Sequence, residues 1–204
     1  MDQKYLSFVN MNEERRDKIV CAALKEFSNY PYSASSINRI LEDAKFSKGG
    51  IYHYFSSKKD LYIGVGQFII EYYLKELKRE LPVSSGDILK QMEICSGIQD
   101  RIREKYPYYS EYIVKASECS ELKEYMDSLN KQEYDLIFGT VDENLLKDNI
   151  TQEEAVFLVI SAVGGVMYQE WDRDGEKLGL EMKHRVYTDK MFELIKVLKK
   201  VLYK

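Results

Sequence analysis

Apolar side chains recur along this chain at three- and four-residue intervals, and the pattern predicts helices throughout. Ile19, Val20, Ala23, Leu24 and Phe27 form the first clear stripe. Asn12 is placed to cap that helix, with Glu13, Glu14 and Asp17 in the opening turns where the dipole favours acids. Pro31 pushes Tyr30 out of the α region and ends it. Residues 1–11 read as a frayed lead-in. Ile37, Ile40, Leu41 and Ala44 share one face of a second helix, with Ser35 or Ser36 as its cap. A turn at Lys45–Phe46 follows, and Ser47 caps a short third helix holding Lys48, Gly49, Gly50, Ile51 and Tyr52. Here Ile51 and Phe55, four apart, are expected to point inward and the two glycines outward. Adjacent glycines cost an isolated helix about 1 kcal/mol each, so this helix is expected to lie close to DNA or to the first helix.

Ser56 to Asp60 opens a long helix from about Lys59 to Leu81, with Leu61, Val65, Phe68, Ile69, Tyr72 and Leu77 apolar. Pro82 and the Ser84–Ser85–Gly86 cluster stop it. Further helices are predicted from Asp87 to Lys105, from Pro107 to about Cys119, and from Glu121 to about Leu146. Thr151 and Glu154 form a capping box that leads into an apolar helix ending near Trp171. A last helix runs from about Lys183 to Tyr203. No internal repeat or low-complexity segment is visible.

Composition agrees with a folded all-α chain. The 204 residues are 45% apolar and 31% charged, with only 3 prolines and 11 glycines, which argues against a turn-rich β fold. The net charge of −4 is unevenly placed: residues 1–60 sum to +2 and residues 61–204 to −6. A weakly basic head on an acidic body is compatible with DNA binding, since only the contact face must be positive. Cys21, Cys95 and Cys119 lack any C-x-x-C spacing and predict neither a disulfide framework nor a metal site. The longest apolar stretch, Ala155 to Tyr168, is shorter than the roughly 20 residues a membrane span needs, and the N-terminus has no signal-peptide run. A cytoplasmic protein without membrane attachment is expected. Two histidines, no G-x-S-x-G and no phosphate loop leave no catalytic constellation, and no cofactor is expected.

Two short helices joined by a tight turn, with polar and basic side chains at both starts, suit a helix-turn-helix reading head. The motif Ser35-Ser36-Ile37, Ile40, Ala44, Ser47-Lys48-Gly49, Ile51-Tyr52-His53-Tyr54-Phe55, Lys58, Leu61-Tyr62 resembles the TetR/AcrR family of bacterial transcriptional regulators. Arg15, Ile19, Ala22-Ala23 and Phe27 fit that family's first helix. The likeness covers about 50 residues, and departs from the family at Lys45, usually glycine, and at Gly50, usually a larger small residue. It implies a DNA-binding domain over 1–58 and a helical effector-binding and dimerisation domain over 59–204. It also implies a repressor released from double-stranded operator DNA by a small apolar or aromatic effector. The alternative is a related regulator controlled by a protein partner or without an effector.

At the head, Ser35, Ser36 and Lys58 are expected to hold phosphates, for helix N-termini and lysine charge favour anions, and the resemblance implies a phosphate contact for Tyr52. Ser47, Lys48, Gly49 and His53 would lie in the major groove. Ser161, Gly164 and Gly165, small enough for close helix approach, join Leu194 and Leu198 as candidate interface residues of a homodimer. Candidate cavity residues are Phe68, Tyr72, Met92, Cys95, Tyr109, Tyr112, Tyr125, Phe138 and Tyr168, an aromatic and Met-containing set suited to an apolar or planar molecule.

Overall fold

The computed structural model describes residues 3–81, 86–173 and 180–204, and side chains among these except at 167–173 and 180–185. The fold is all-α. The helices are α1 Gln3–Val9, α2 Glu13–Asn29, α3 Ile37–Ala44, α4 Lys48–Tyr54 and α5 Lys58–Glu80, then α6 Ile88–Lys105, α7 Tyr109–Ala116, α8 Ser120–Phe138, α9 Gln152–Arg173 and α10 Leu180–Leu202. Their contacts divide the chain into two compact units, residues 1–72 with 102–129 and residues 73–101 with 130–204.

The lead-in expected at residues 1–11 is instead a helix. Tyr5 and Phe8, three apart on α1, are both buried, and the Phe8 ring meets Phe55 edge-on at 4.8 Å. Two aromatic anchors give this short helix enough buried area to hold, where propensity alone would not. The first unit's core continues through Ile19, Phe27, Ile40, Ile51, Leu61, Tyr106 and Tyr112, each essentially without solvent exposure. Tyr5, Tyr106 and Tyr125 keep their hydroxyls bonded. Tyr5 and Tyr125 both donate to the Glu71 carboxylate, at 2.7 and 2.6 Å, and Tyr106 donates to Asp17 at 2.7 Å. Burial, then these carboxylate partners, raises the phenol pKa of each.

Local sequence explains the helix boundaries. Asn12 Oδ1 accepts from the Arg15 N–H at 3.1 Å, and Tyr30 before Pro31 closes α2 in an extended conformation. At α3 the capping is of another kind than expected. Ser36 stands at the N-cap with no side-chain bond, while the Ser35 hydroxyl turns back and donates to the Tyr32 carbonyl at 2.7 Å. The buried Glu26 of α2 takes over: its carboxylate accepts from the Ser36 N–H at 2.8 Å and from Arg39 Nε at 3.0 Å. One side chain thus caps α3, neutralises Arg39 and fixes α3 against α2.

Lys45 ends α3 in the left-handed region, at φ 52° and ψ 46°, with its N–H directed to the Glu42 and Leu41 carbonyls. Glycine would adopt this conformation without Cβ strain; lysine does so at a cost of about 1–2 kcal/mol.

In the second unit, Leu77, Ile88, Leu89, Ala155, Val159 and Leu202 are fully buried. The expected continuation of α8 to Leu146 fails, for α8 stops at Phe138. The following segment instead pairs with the chain end: the Lys147 N–H donates to Leu202 O at 2.9 Å and the Lys204 N–H to Leu145 O at 3.0 Å. Gly86, at φ 65°, permits a close approach, since a Cβ there would lie 2.7 Å from the Asp142 backbone nitrogen. The Thr151–Glu154 capping box forms as expected, with Thr151 N–H to Glu154 Oε2 at 2.9 Å and Glu154 N–H to Thr151 Oγ1 at 3.2 Å.

Urea unfolding measures both the α3 cap and the left-handed turn. Glu26→Ala should lower the unfolding free energy by about 3 kcal/mol, because it leaves the α3 N-terminus and Arg39 without their buried partner, whereas Ser36→Ala should change it by less than about 0.5 kcal/mol. Lys45→Gly should raise it by about 0.5–1 kcal/mol, the relief of left-handed strain exceeding the entropy glycine adds to the unfolded chain.

Candidate functional site

α4 is pinned by Ile51 and Phe55, 1% and 4% exposed, so its other face is turned outward. Ser47, Lys48, Gly49, Tyr52 and His53 are all solvent-exposed. Ser47 caps the helix by accepting the Gly50 N–H at 3.1 Å. The two glycines behave differently. Gly49 faces open space, as expected, but a Cβ on Gly50 would lie 2.7 Å from the Phe46 ring. Gly50 therefore serves packing: it makes room for Phe46, which tucks the turn against α4.

Beside α4 lies a groove of about 540 Å³ lined by Arg15, Lys18, Lys45, Phe46, Ser47 and His53, among others. Arg15, Lys18 and Lys45 add positive charge to the outward face, and the sequence reading did not assign them to DNA. Arg15 lies in the same helix as the apolar stripe, at a position the stripe leaves free, which is the signal that could have found it. Lys18 pairs with Glu14 at 2.6 Å, and this partner draws the Glu14 carboxyl below its ordinary value.

The remaining candidate phosphate groups are placed differently. Ser35 is buried. The Lys58 ammonium donates to the carbonyls of Tyr32 at 2.7 Å and Ser35 at 3.0 Å, and sits 4.5 Å from the centre of the Tyr32 ring. It clasps the start of α5 to the turn before α3. Ser36 offers a hydroxyl without a capping bond, half exposed at the α3 N-terminus.

The candidate ligand residues separate into two groups. In the first unit, Phe68 and Tyr112 are buried; Tyr72 meets Tyr106 edge-on at 5.6 Å, Tyr125 holds Glu71, and Tyr109 is half-buried at the start of α7. In the second unit, Met92, Cys95 and Phe138 line a cavity of about 340 Å³ together with Tyr73, Glu133 and Tyr187. Tyr73 donates to Glu133 Oε1 at 2.9 Å. Burial raises the Glu133 carboxyl pKa above its ordinary value, with the Tyr73 bond opposing. Burial, and next the Glu133 charge, pushes the Cys95 thiol up to about 12, so it stays protonated at neutral pH. The Tyr168 side chain lies outside the described residues.

On α9, Ser161, Gly164 and Gly165 are exposed, next to Phe157 at 69% and Ile160 at 44% exposure. On α10, Phe192, Val197 and Val201 are similarly open, while Leu194 is half-buried and Leu198 buried within the unit. Among the described residues no helix is long and apolar enough to cross a membrane.

Residues 19–65 match the family described as "Bacterial regulatory proteins, tetR family". Over 69 residues the chain is 38% identical to the HTH-type transcriptional regulator HbdR of Aromatoleum sp. (strain CIB), a match taking in 34% of this chain and 30% of that one. It is 29% identical over 149 residues to the uncharacterized HTH-type transcriptional regulator YfiR of Bacillus subtilis (strain 168), covering 70% and 68% of the two. A TetR family transcriptional regulator from Chloroflexus aurantiacus J-10-fl shares the fold over 98% of both chains, with a TM-score of 0.57 and 21% identity. TylP, a TetR regulator from Streptomyces fradiae, does so over 93% of this chain and 87% of its own, with a TM-score of 0.60 and 17% identity. The tetR-family match thus lies on α2 to α5, and the all-helical fold of the chain is one that TetR family regulators of known structure share.

Proposed function

We propose that this chain is a homodimeric repressor that reads operator DNA through α4 and is released by a small molecule held in the cavity of its second unit. Residues 1–58 carry the reading and residues 59–204 the effector binding and dimerisation. The observation that carries the proposal is the outward face of α4, where Ser47, Lys48, Tyr52 and His53 stand exposed around Gly49 on a helix locked by Ile51 and Phe55.

Lys48 and His53 read base edges in the major groove, with Ser47 and Gly49 letting the backbone come close. Tyr52, 41% exposed, reaches a phosphate through its hydroxyl. Ser36 offers a second phosphate contact at the α3 N-terminus. Ser35 and Lys58 support this surface from behind: with Lys58 bonded to two carbonyls, its charge contributes to the field at the α3 start more than to a direct bond.

A dimer supplies two α4 helices for successive major grooves, about 34 Å apart. The apolar residues exposed on α9 and α10 supply its interface, with Ser161, Gly164 and Gly165 allowing close approach. Effector control is a population shift: a ligand bound better in one conformer of the dimer draws it away from the conformer that fits the operator. Helix α5 is the covalent route for that shift, because Tyr72 packs in the first unit and its neighbour Tyr73 reaches the cavity of the second.

In gel-shift titrations on DNA flanking its own gene, Lys48→Ala and Tyr52→Ala should each weaken binding by about tenfold and leave the helical circular dichroism unchanged. Unaltered affinity at physiological salt would remove both residues from the interface. Phe157→Glu should convert the dimer to a monomer in sedimentation velocity and abolish operator binding. A dimer that persists would place the interface elsewhere.

A further inference from the structure

The second-unit cavity carries more chemistry than an apolar ligand requires. Glu133 projects a carboxylate into it, and the bond from Tyr73 is its one hydrogen bond among the described residues. No described lysine, arginine or histidine pairs with it. A carboxylate withdrawn from water without a cation is unfavourable, and the penalty falls when an opposite charge enters the same low-dielectric space. Ser96, 3% exposed, also lines the cavity, and its Oγ has no hydrogen-bond partner. A buried hydroxyl left unbonded is likewise a group awaiting a partner. Gln99 adds an amide to the wall, which is otherwise mostly apolar or aromatic, with Met92, Ile137, Phe138 and Tyr187 among its residues.

We infer that the ligand of this cavity is a small amphipathic organic cation, an amine on an aromatic or aliphatic body, whose ammonium pairs with Glu133. This rests on the reading of the cavity as the effector site and names the ligand's chemical class. The ammonium donates to Glu133 and, with a second N–H, to Ser96 Oγ; the faces of Phe138 and Tyr187 favour the positive charge. The body of the molecule takes the apolar walls. A volume of about 340 Å³ lies near the lower end of ligand sites, which run from about 300 Å³ upward, so the cation is compact. Tyr73 holds the carboxylate in position, and its bond survives when Glu133 is replaced by glutamine.

The test is calorimetric titration of the full-length protein with three matched probes: phenylbutylamine, phenylbutanol and phenylbutyrate. The amine should bind at least about tenfold more tightly than the alcohol, and the carboxylate weakest of all. Glu133→Gln should weaken the amine by about tenfold and leave the alcohol within about twofold. This variant should melt at or above the wild-type temperature, since it removes a carboxylate that the fold keeps from water. The amine-to-alcohol comparison on the wild-type protein needs no variant. Equal affinities for amine and alcohol, or an amine affinity indifferent to Glu133→Gln, would overturn the cation while leaving the cavity a binding site. If none of the three binds at millimolar concentration, the effector reading of the cavity falls with it.

Discussion

A buried carboxylate sets the geometry from which the rest of the reading head is built. Glu26 lies on α2, yet its oxygens complete the first turn of α3 and hold Arg39 on the outside of it. Helix N-termini present unsatisfied N–H groups wherever they occur, and a cap supplied by the same helix would leave α3 free to pivot. A cap supplied by α2 does not. The position of α3 then places the Lys45 turn, and the turn places Phe46, whose ring occupies the space that Gly50 leaves empty. Each step passes the orientation of α2 forward until it reaches the outward face of α4.

Tyrosine chemistry plays a similar part in the first unit. Burying a phenol without a partner would be unfavourable, and burying a carboxylate more so; bonded to each other, the two satisfy one another. Glu71 accepts from tyrosines of α1 and α8, and Asp17 from the tyrosine that follows α6. These pairs give directional fixings to a core whose remaining contacts are apolar and non-directional.

Much of this was legible in the sequence, and the parts that were not share a cause. Asn12, Pro31, Ser47 and the Thr151–Glu154 pair act on backbone within a few residues of themselves, so their effects could be read locally. The inward face of α4 followed from Ile51 and Phe55 for the same reason. The α1 helix could not be read, because a seven-residue segment is stabilised only by what Tyr5 and Phe8 pack against. The α3 cap was assigned to a serine because Glu26 is ten residues away from Ser36 and its reach depends on the angle between two helices. The early end of α8 has its reason at the far end of the chain, where Leu202 and Lys204 bond with the segment after it. At the candidate site, the motif marked Lys48, Tyr52 and His53, and the structure leaves all three exposed. The basic residues of the adjoining groove and the pairing of Tyr73 with Glu133 depend on tertiary placement.

The division of the chain bears on how such a protein diversifies. The motif-bearing residues do not pack as a separable cassette: the first unit takes in residues 102–129, where Tyr106, Tyr112 and Tyr125 meet α2 and α5. A recombination joint placed just after α4 would separate Tyr106 from Asp17 and Tyr5 from Glu71, taking from the Asp17 carboxylate and the Tyr5 hydroxyl the partners they have in the core. Heads of this kind therefore cannot be exchanged by a single crossover. A graft that keeps its fold must carry two stretches of sequence, and selection on operator choice is tied, through that shared core, to substitutions well inside the body.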